Sequence, residues 1–235
     1  MIKHVERFKT AQRKHNYNFF LDGTTCCGKS TITGQNVNDK INNYIDTTYY
    51  NIYPRTSYAY LYGYDYLLKT SKGIAFDRSP VSNIAFLIIH QYMNKAYLLN
   101  HITPYALINL IVHEFDLFSL LSFIKGKNYP TIIIVDSNVE NLKRRLQQRN
   151  IGKDEYYSHQ SLYLEAQNEV YSYLAEVLNY PLVDLAENNT NCVESILLPI
   201  TDRYIGGEDL ILKKPPWDKD VVMMIMKKIT QLHKR

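Results

Sequence analysis

The chain has 235 residues, 46% of them apolar and 21% charged, which excludes a disordered or fibrous protein and suits one globular domain. A net charge of +4 at pH 7 favours an anionic ligand but is too weak to predict nucleic-acid binding, and Lys3, Arg7, Lys9, Arg13 and Lys14 read as a solvated face. Three cysteines without zinc-ligand spacing predict reduced thiols in an intracellular, cytoplasmic protein. No signal-peptide pattern opens the chain, and the apolar stretch 84–99 is broken by His90, Gln91, Asn94 and Lys95, so no membrane span is expected.

In chain order, strands are predicted over 16–21, 72–77, 129–136 and 180–186, with a weaker one at 43–48. The run Ile132 to Val135 has no polar residue and predicts a strand buried on both faces. Between the strands, helices are predicted over 56–69, 79–100, 103–123, 138–149 and 161–178, and a terminal one over 218–234. Pro80 is placed in the first turn of its helix and Asn138 as an N-cap. The alternation predicts an α/β protein with a parallel sheet wrapped by helices. The domain is expected over 1–186, with 187–235 an extension packed on it.

Gly23-Thr24-Thr25-Cys26-Cys27-Gly28-Lys29-Ser30 fits GxxxxGK[ST] between a strand and a helix, the setting of a phosphate-binding loop. Glycines let successive amides turn inward, and the helix start adds partial positive charge. Lys29 is expected on the outer phosphates and Ser30 on Mg²⁺, with Thr31 next in the loop. The bland alternative is a tight glycine turn. Cys26 and Cys27 would make the loop oxidation-sensitive.

Three further features bear on chemistry. Asp77-Arg78-Ser79-Pro80 ends an apolar strand. Asp77 there can organise Mg²⁺ and Arg78 can reach an anion, or the pair simply caps the next helix. Arg145 and Arg149 are four apart on one helix face, and Lys153 and Asp154-Glu155 follow. The segment 145–157 reads as an arginine lid that closes over phosphates, or as a solvated amphipathic helix. Asp46 is either a base for a hydroxyl acceptor or a turn residue.

Together these pieces resemble the deoxynucleoside kinase and thymidylate kinase group, and the herpesvirus-type thymidine kinases in particular. "LDGTTCCGKST" is similar to that family's LDG-x-x-G-x-GK-T-T loop, "IAFDRSP" to its IFDRHP strand end, and "RLQQRNIGKDE" to its arginine lid. The resemblance implies a three-layer P-loop kinase fold with a parallel five-stranded sheet, ATP and Mg²⁺, and phosphorylation of a deoxynucleoside 5′-hydroxyl. It implies that Gly23 to Thr31 hold ATP, that Ser30 and Asp77 hold the metal, and that Arg78, Arg145 and Arg149 act on the phosphates. It places Asp154 where the family has a Glu touching the sugar. The chain departs from the family at Ile151, where a third lid arginine is replaced, with Lys153 a substitute. It also lacks the Glu-Pro that supplies the base; Asp46 with Tyr50 is the nearest counterpart. Other readings are a monophosphate kinase using Arg55 for the acceptor phosphate, and a degenerate fold that binds without catalysis. No NKxD motif supports a GTPase. Homodimerisation through the helices 79–100 and 103–123 is a further family trait.

Overall fold

The computed structural model describes residues 19–29, 61 and 75–186. Strands β1 (Phe19–Gly23), β2 (Ala75–Asp77), β3 (Thr131–Val135) and β4 (Leu182–Asp184) form one sheet in the order β2-β1-β3-β4, with every neighbouring pair parallel. Each lies within or overlaps a predicted strand. The fifth candidate, 43–48, lies outside the described residues, as do most of 56–69 and all of 187–235.

Side chains alternate across the sheet, and both faces are covered. Phe20, Phe76, Ile133 and Val135 enter one core cluster, and Leu21, Ile132, Ile134 and Val183 enter a second. This is why Thr131–Val135 is buried at every position. Each fully buried Ile or Leu is worth about 1.5–3 kcal/mol relative to exposure.

Helix α1 (Ser82–Asn94) starts later than predicted, because Ser79 to Val81 form a turn and Pro80 precedes the first helical residue. A 3₁₀ turn, Ala96–Asn100, follows the break at Lys95. The helix expected over 103–123 is two helices. The first, α2 (Pro104–Glu114), is capped by Thr103, whose Oγ1 accepts from the Ala106 amide at 3.2 Å. The second, α3 (Phe118–Lys127), is bent 99° from it. Asp116 adopts a left-handed φ of 49° at the corner, and the bend swings Leu117, Leu120, Leu121 and Ile124 into the core. No single helix among the described residues is long and apolar enough to cross a membrane.

Helix α4 (Val139–Arg149) is capped as predicted: Asn138 Oδ1 accepts from Glu140 N at 3.1 Å and Asn141 N at 3.4 Å. Left-handed Asn150 ends it. A short helix, α5 (Asp154–Ser158), falls in what reads as loop in the sequence. Helix α6 (Ser161–Leu178) matches its predicted span and packs against β1, β3, α1, α2 and α4. From β1 the chain passes to β2 on one side, then to β3 and β4 on the other. Such a reversal opens a crevice at the carboxyl ends of the central strands, where the Gly23 loop lies.

Candidate functional site

At the end of β1 the backbone must pass close to β3. Gly23 has φ 125°, and a Cβ there would sit 1.8 Å from the Ile134 carbonyl oxygen. Only glycine fits. The first amides of the loop are committed to the fold. Gly23 N donates to Asp22 Oδ1 at 2.8 Å, Thr24 N to Ile134 O at 3.0 Å, and Thr25 N to Gln167 Oε1 at 3.1 Å. The amides of Cys26, Cys27 and Gly28 donate to no acceptor among the described residues. Cys26 (φ 58°) and Gly28 (φ 77°) are left-handed, a conformation that lets successive N–H groups form an anion-binding concavity. Lys29 opens the following helical turn. Its ammonium folds back on the loop, donating to Gly23 O at 3.1 Å and Thr24 O at 2.6 Å.

Asp22 is the hub beneath the loop and was not singled out from the sequence. It is wholly buried. Its Oδ2 accepts from Ser79 N at 3.1 Å and from the hydroxyls of Ser79 and Ser82, both at 2.6 Å. Arg78 lies 3.5 Å from Oδ1. That saturation leaves Asp22 poorly suited to hold a metal. Arg78 itself is left-handed, φ 89°, an uncommon state for a residue with a side chain. Its Nη1 donates to Gly23 O and to the Tyr171 hydroxyl, both at 3.3 Å, and its guanidinium lies 5.3 Å from the Phe86 ring centre. Burial, then the charge of Asp22, holds the Tyr171 hydroxyl well above its ordinary pKa. Asp77 pairs in register with Leu21, one strand from the loop base; only its backbone is described.

Helix α4 brings its arginines to the other side of the loop. Arg145 Nη2 donates to the buried Asp136 Oδ2 at 2.6 Å, and its Nη1 to the Cys26 carbonyl at 3.4 Å. Arg149 grips Asp154 through Nε and Nη2, each at 2.6 Å, while the Ile151 amide donates to the same carboxylate at 3.1 Å. The Arg149 hydrogen bonds hold the Asp154 carboxyl below its usual range against the opposing effect of burial. Arg149 is also among the charges acting on the Cys26 thiol. Lys29, Arg78, Arg145 and Arg149 therefore surround one loop. Ser30, Thr31, Asp46, Tyr50 and Arg55 lie outside the described residues.

Helix α6 braces the loop from behind, through residues that the sequence reading missed. Besides Gln167, Asn168 Oδ1 accepts from Thr24 Oγ1 at 2.6 Å, and its Nδ2 donates to the Asp136 carbonyl at 2.6 Å. Two amides side by side on a mostly apolar helix face are the only sequence signal for this. Burial pushes the Cys27 thiol up to about 12, and burial also raises Cys26, with Arg149 and Lys29 opposing.

A cavity of about 840 Å³ opens between α1 and α5, lined by Phe86, His90, Lys153, Tyr156, Tyr157 and Tyr163 among others. Its size and apolar walls are those of a small-molecule site, and Phe86 connects it to Arg78. Among the described residues no cluster of three His, Cys, Asp or Glu could hold a metal ion. The expected Mg²⁺ ligands are Ser30, outside the described residues, and the Asp77 side chain. Comparisons with protein-family models, curated proteins and solved structures return no match, so the family resemblance stands on the quoted residues.

Proposed function

We propose that this chain is an ATP-dependent phosphotransferase of the P-loop kinase type, acting on a deoxynucleoside in nucleotide salvage. The observation that carries the reading is the loop itself. Three consecutive amides, of Cys26, Cys27 and Gly28, are left without acceptors among the described residues, in a turn between a parallel strand and a helix start, beside Lys29 and three arginines. Oriented amides and fixed cations are what phosphoryl transfer asks of a protein, because its transition state spreads charge over phosphate oxygens.

In this reading the loop from Gly23 to Thr31 holds the triphosphate. Lys29 exchanges its two loop carbonyls for phosphate oxygens. Arg145 and Arg149 sit on the α4 side of the transferred group, and Arg78 on the β2 side. Ser30 and Asp77 would hold Mg²⁺, which neutralises phosphate charge when bound. Asp46 takes the hydroxyl proton. The cavity under Phe86 receives the acceptor. The five-stranded sheet of this fold requires one strand more than the four described; the candidate over 43–48 lies outside the described residues.

The test is transfer of labelled phosphate from MgATP to each common nucleoside and nucleoside monophosphate. Transfer to a nucleoside supports the reading. Transfer only to monophosphates moves the assignment to a monophosphate kinase, with Arg55 on the acceptor phosphate. ATP binding without transfer to any acceptor leaves a non-catalytic P-loop module.

A further inference from the structure

Asp136 has no role in the sequence reading, yet among the described residues it is one of the few charged groups that the core encloses completely, at 0% exposure. Enclosing a carboxylate costs several kcal/mol unless partners replace its water. Its partners are specific. Oδ1 accepts from the Asn138 amide at 3.1 Å, and Oδ2 from Arg145 Nη2 at 2.6 Å. Arg145 then spends its other terminal nitrogen on the Cys26 carbonyl at 3.4 Å. The guanidinium is planar, so two anchors fix its plane as well as its position. The backbone of Asp136 is fixed too, since its carbonyl accepts from Asn168, which in turn accepts from Thr24 of the loop.

We propose that Asp136 is a positioning residue: its buried carboxylate holds the Arg145 guanidinium at the lip of the phosphate loop, oriented before any ligand arrives. The inference rests on the phosphate-loop reading above. Arg145 is one-third exposed, so its side chain is reachable from solvent where it meets Cys26. An arginine left in solvent would have to be ordered on binding; this one is ordered already. The two lid arginines therefore differ. Arg145 is anchored to the β3 end of the sheet, whereas Arg149, among the described residues, is held only by Asp154 of the neighbouring short helix.

The role predicts an effect opposite to that of simple charge. Asp136→Asn removes a negative charge near an anion site, and electrostatics alone would tighten MgATP binding. Positioning predicts weaker binding, by about tenfold or more, from loss of a charge-assisted hydrogen bond. The measurement is calorimetric titration of the full chain with MgATP, for wild type, Asp136→Asn, Arg145→Met and the double variant. If Asp136 acts through Arg145, Asp136→Asn weakens the wild type but adds no further loss to Arg145→Met. Binding by Asp136→Asn that equals or exceeds wild type overturns the proposal, as does an additive loss in the double variant. Arg145→Lys serves if Asp136→Asn does not fold. Lysine keeps the charge but cannot bridge both anchors, so it is expected to bind as weakly as Arg145→Met; wild-type affinity in Arg145→Lys overturns the proposal. A wild type that binds no MgATP overturns the phosphate-loop reading itself, an outcome distinct from the others.

Discussion

The ammonium of Lys29 donates to the Thr24 carbonyl at 2.6 Å, across the loop that both residues belong to. With Gly23 O as a second acceptor at 3.1 Å, the charge is held against the backbone that opens the loop. The lysine thus occupies a defined resting place and needs only to exchange carbonyl oxygens for phosphate oxygens. Lys29→Met keeps the buried stem and removes the charge. Phosphate transfer is expected to fall by about 10²–10³-fold, with the folded spectrum retained. Transfer at the wild-type rate would remove Lys29 from the mechanism.

Two left-handed positions in the loop predict opposite outcomes. Gly23→Ala drives a methyl to 1.8 Å from the Ile134 oxygen, at a φ that side chains avoid. The expected loss is about 3 kcal/mol or more, read as a lower melting temperature. Cys26 already carries a side chain at φ 58°, against a left-handed penalty of about 1–2 kcal/mol. Cys26→Gly relieves that penalty and loses some of it to backbone entropy, so stability is expected to hold or rise. Cys26→Val, branched at Cβ, is expected to destabilise. A rise for valine and a fall for glycine would contradict the backbone geometry.

The Arg149–Asp154 pair gives a pH prediction. The Asp154 carboxyl is held low by its hydrogen bonds from Arg149. Because the folded pKa is depressed, the stabilisation is complete above the unfolded value of about 3.9 and is lost as the pH falls through the lower folded one. Urea unfolding of wild type and Asp154→Asn is therefore expected to differ near neutrality and to converge below about pH 4. A gap that persists in acid would show that the carboxylate charge is not what Asp154 contributes.

The loop thiols are expected to be sluggish. The thiolate is the reactive form, and burial keeps both Cys26 and Cys27 protonated, Cys27 up to about 12. In a Cys192→Ser variant, iodoacetamide near pH 8 should modify the folded protein much more slowly than the urea-unfolded chain. Equal rates would restore the expectation of an oxidation-sensitive loop.

Much of the frame was legible from period and punctuation. The unbroken Ile132 to Val135 announced a doubly covered strand, and Asn138 with Glu140 announced a capped helix. The loop was legible because GxxxxGK[ST] records a backbone requirement, and Gly23 meets it against Ile134. What stayed hidden depends on tertiary contact. The corner at Asp116 lies inside a stretch where apolar residues recur at helical spacing on both sides of the bend. Gln167 and Asn168 give only the weak signal of two adjacent amides, because Thr24, Thr25 and Asp136 are far away in the chain, and Asp136 reads as a plain strand end until α4 sets Arg145 against it. The resemblance places Asp154 at a sugar hydroxyl; what the fold adds is that its carboxylate also accepts from Arg149 and the Ile151 amide.

The Asp22 hub has a consequence for engineering. The carboxylate is stitched to Ser79 and Ser82 at the start of α1, so the strand end and that distant turn behave mechanically as one piece. A loop transplanted from another protein without its matching serines would leave a sealed-in anion stripped of its donors. Redesign must therefore move both segments together, and damage at Ser82 should be felt by whatever the loop holds.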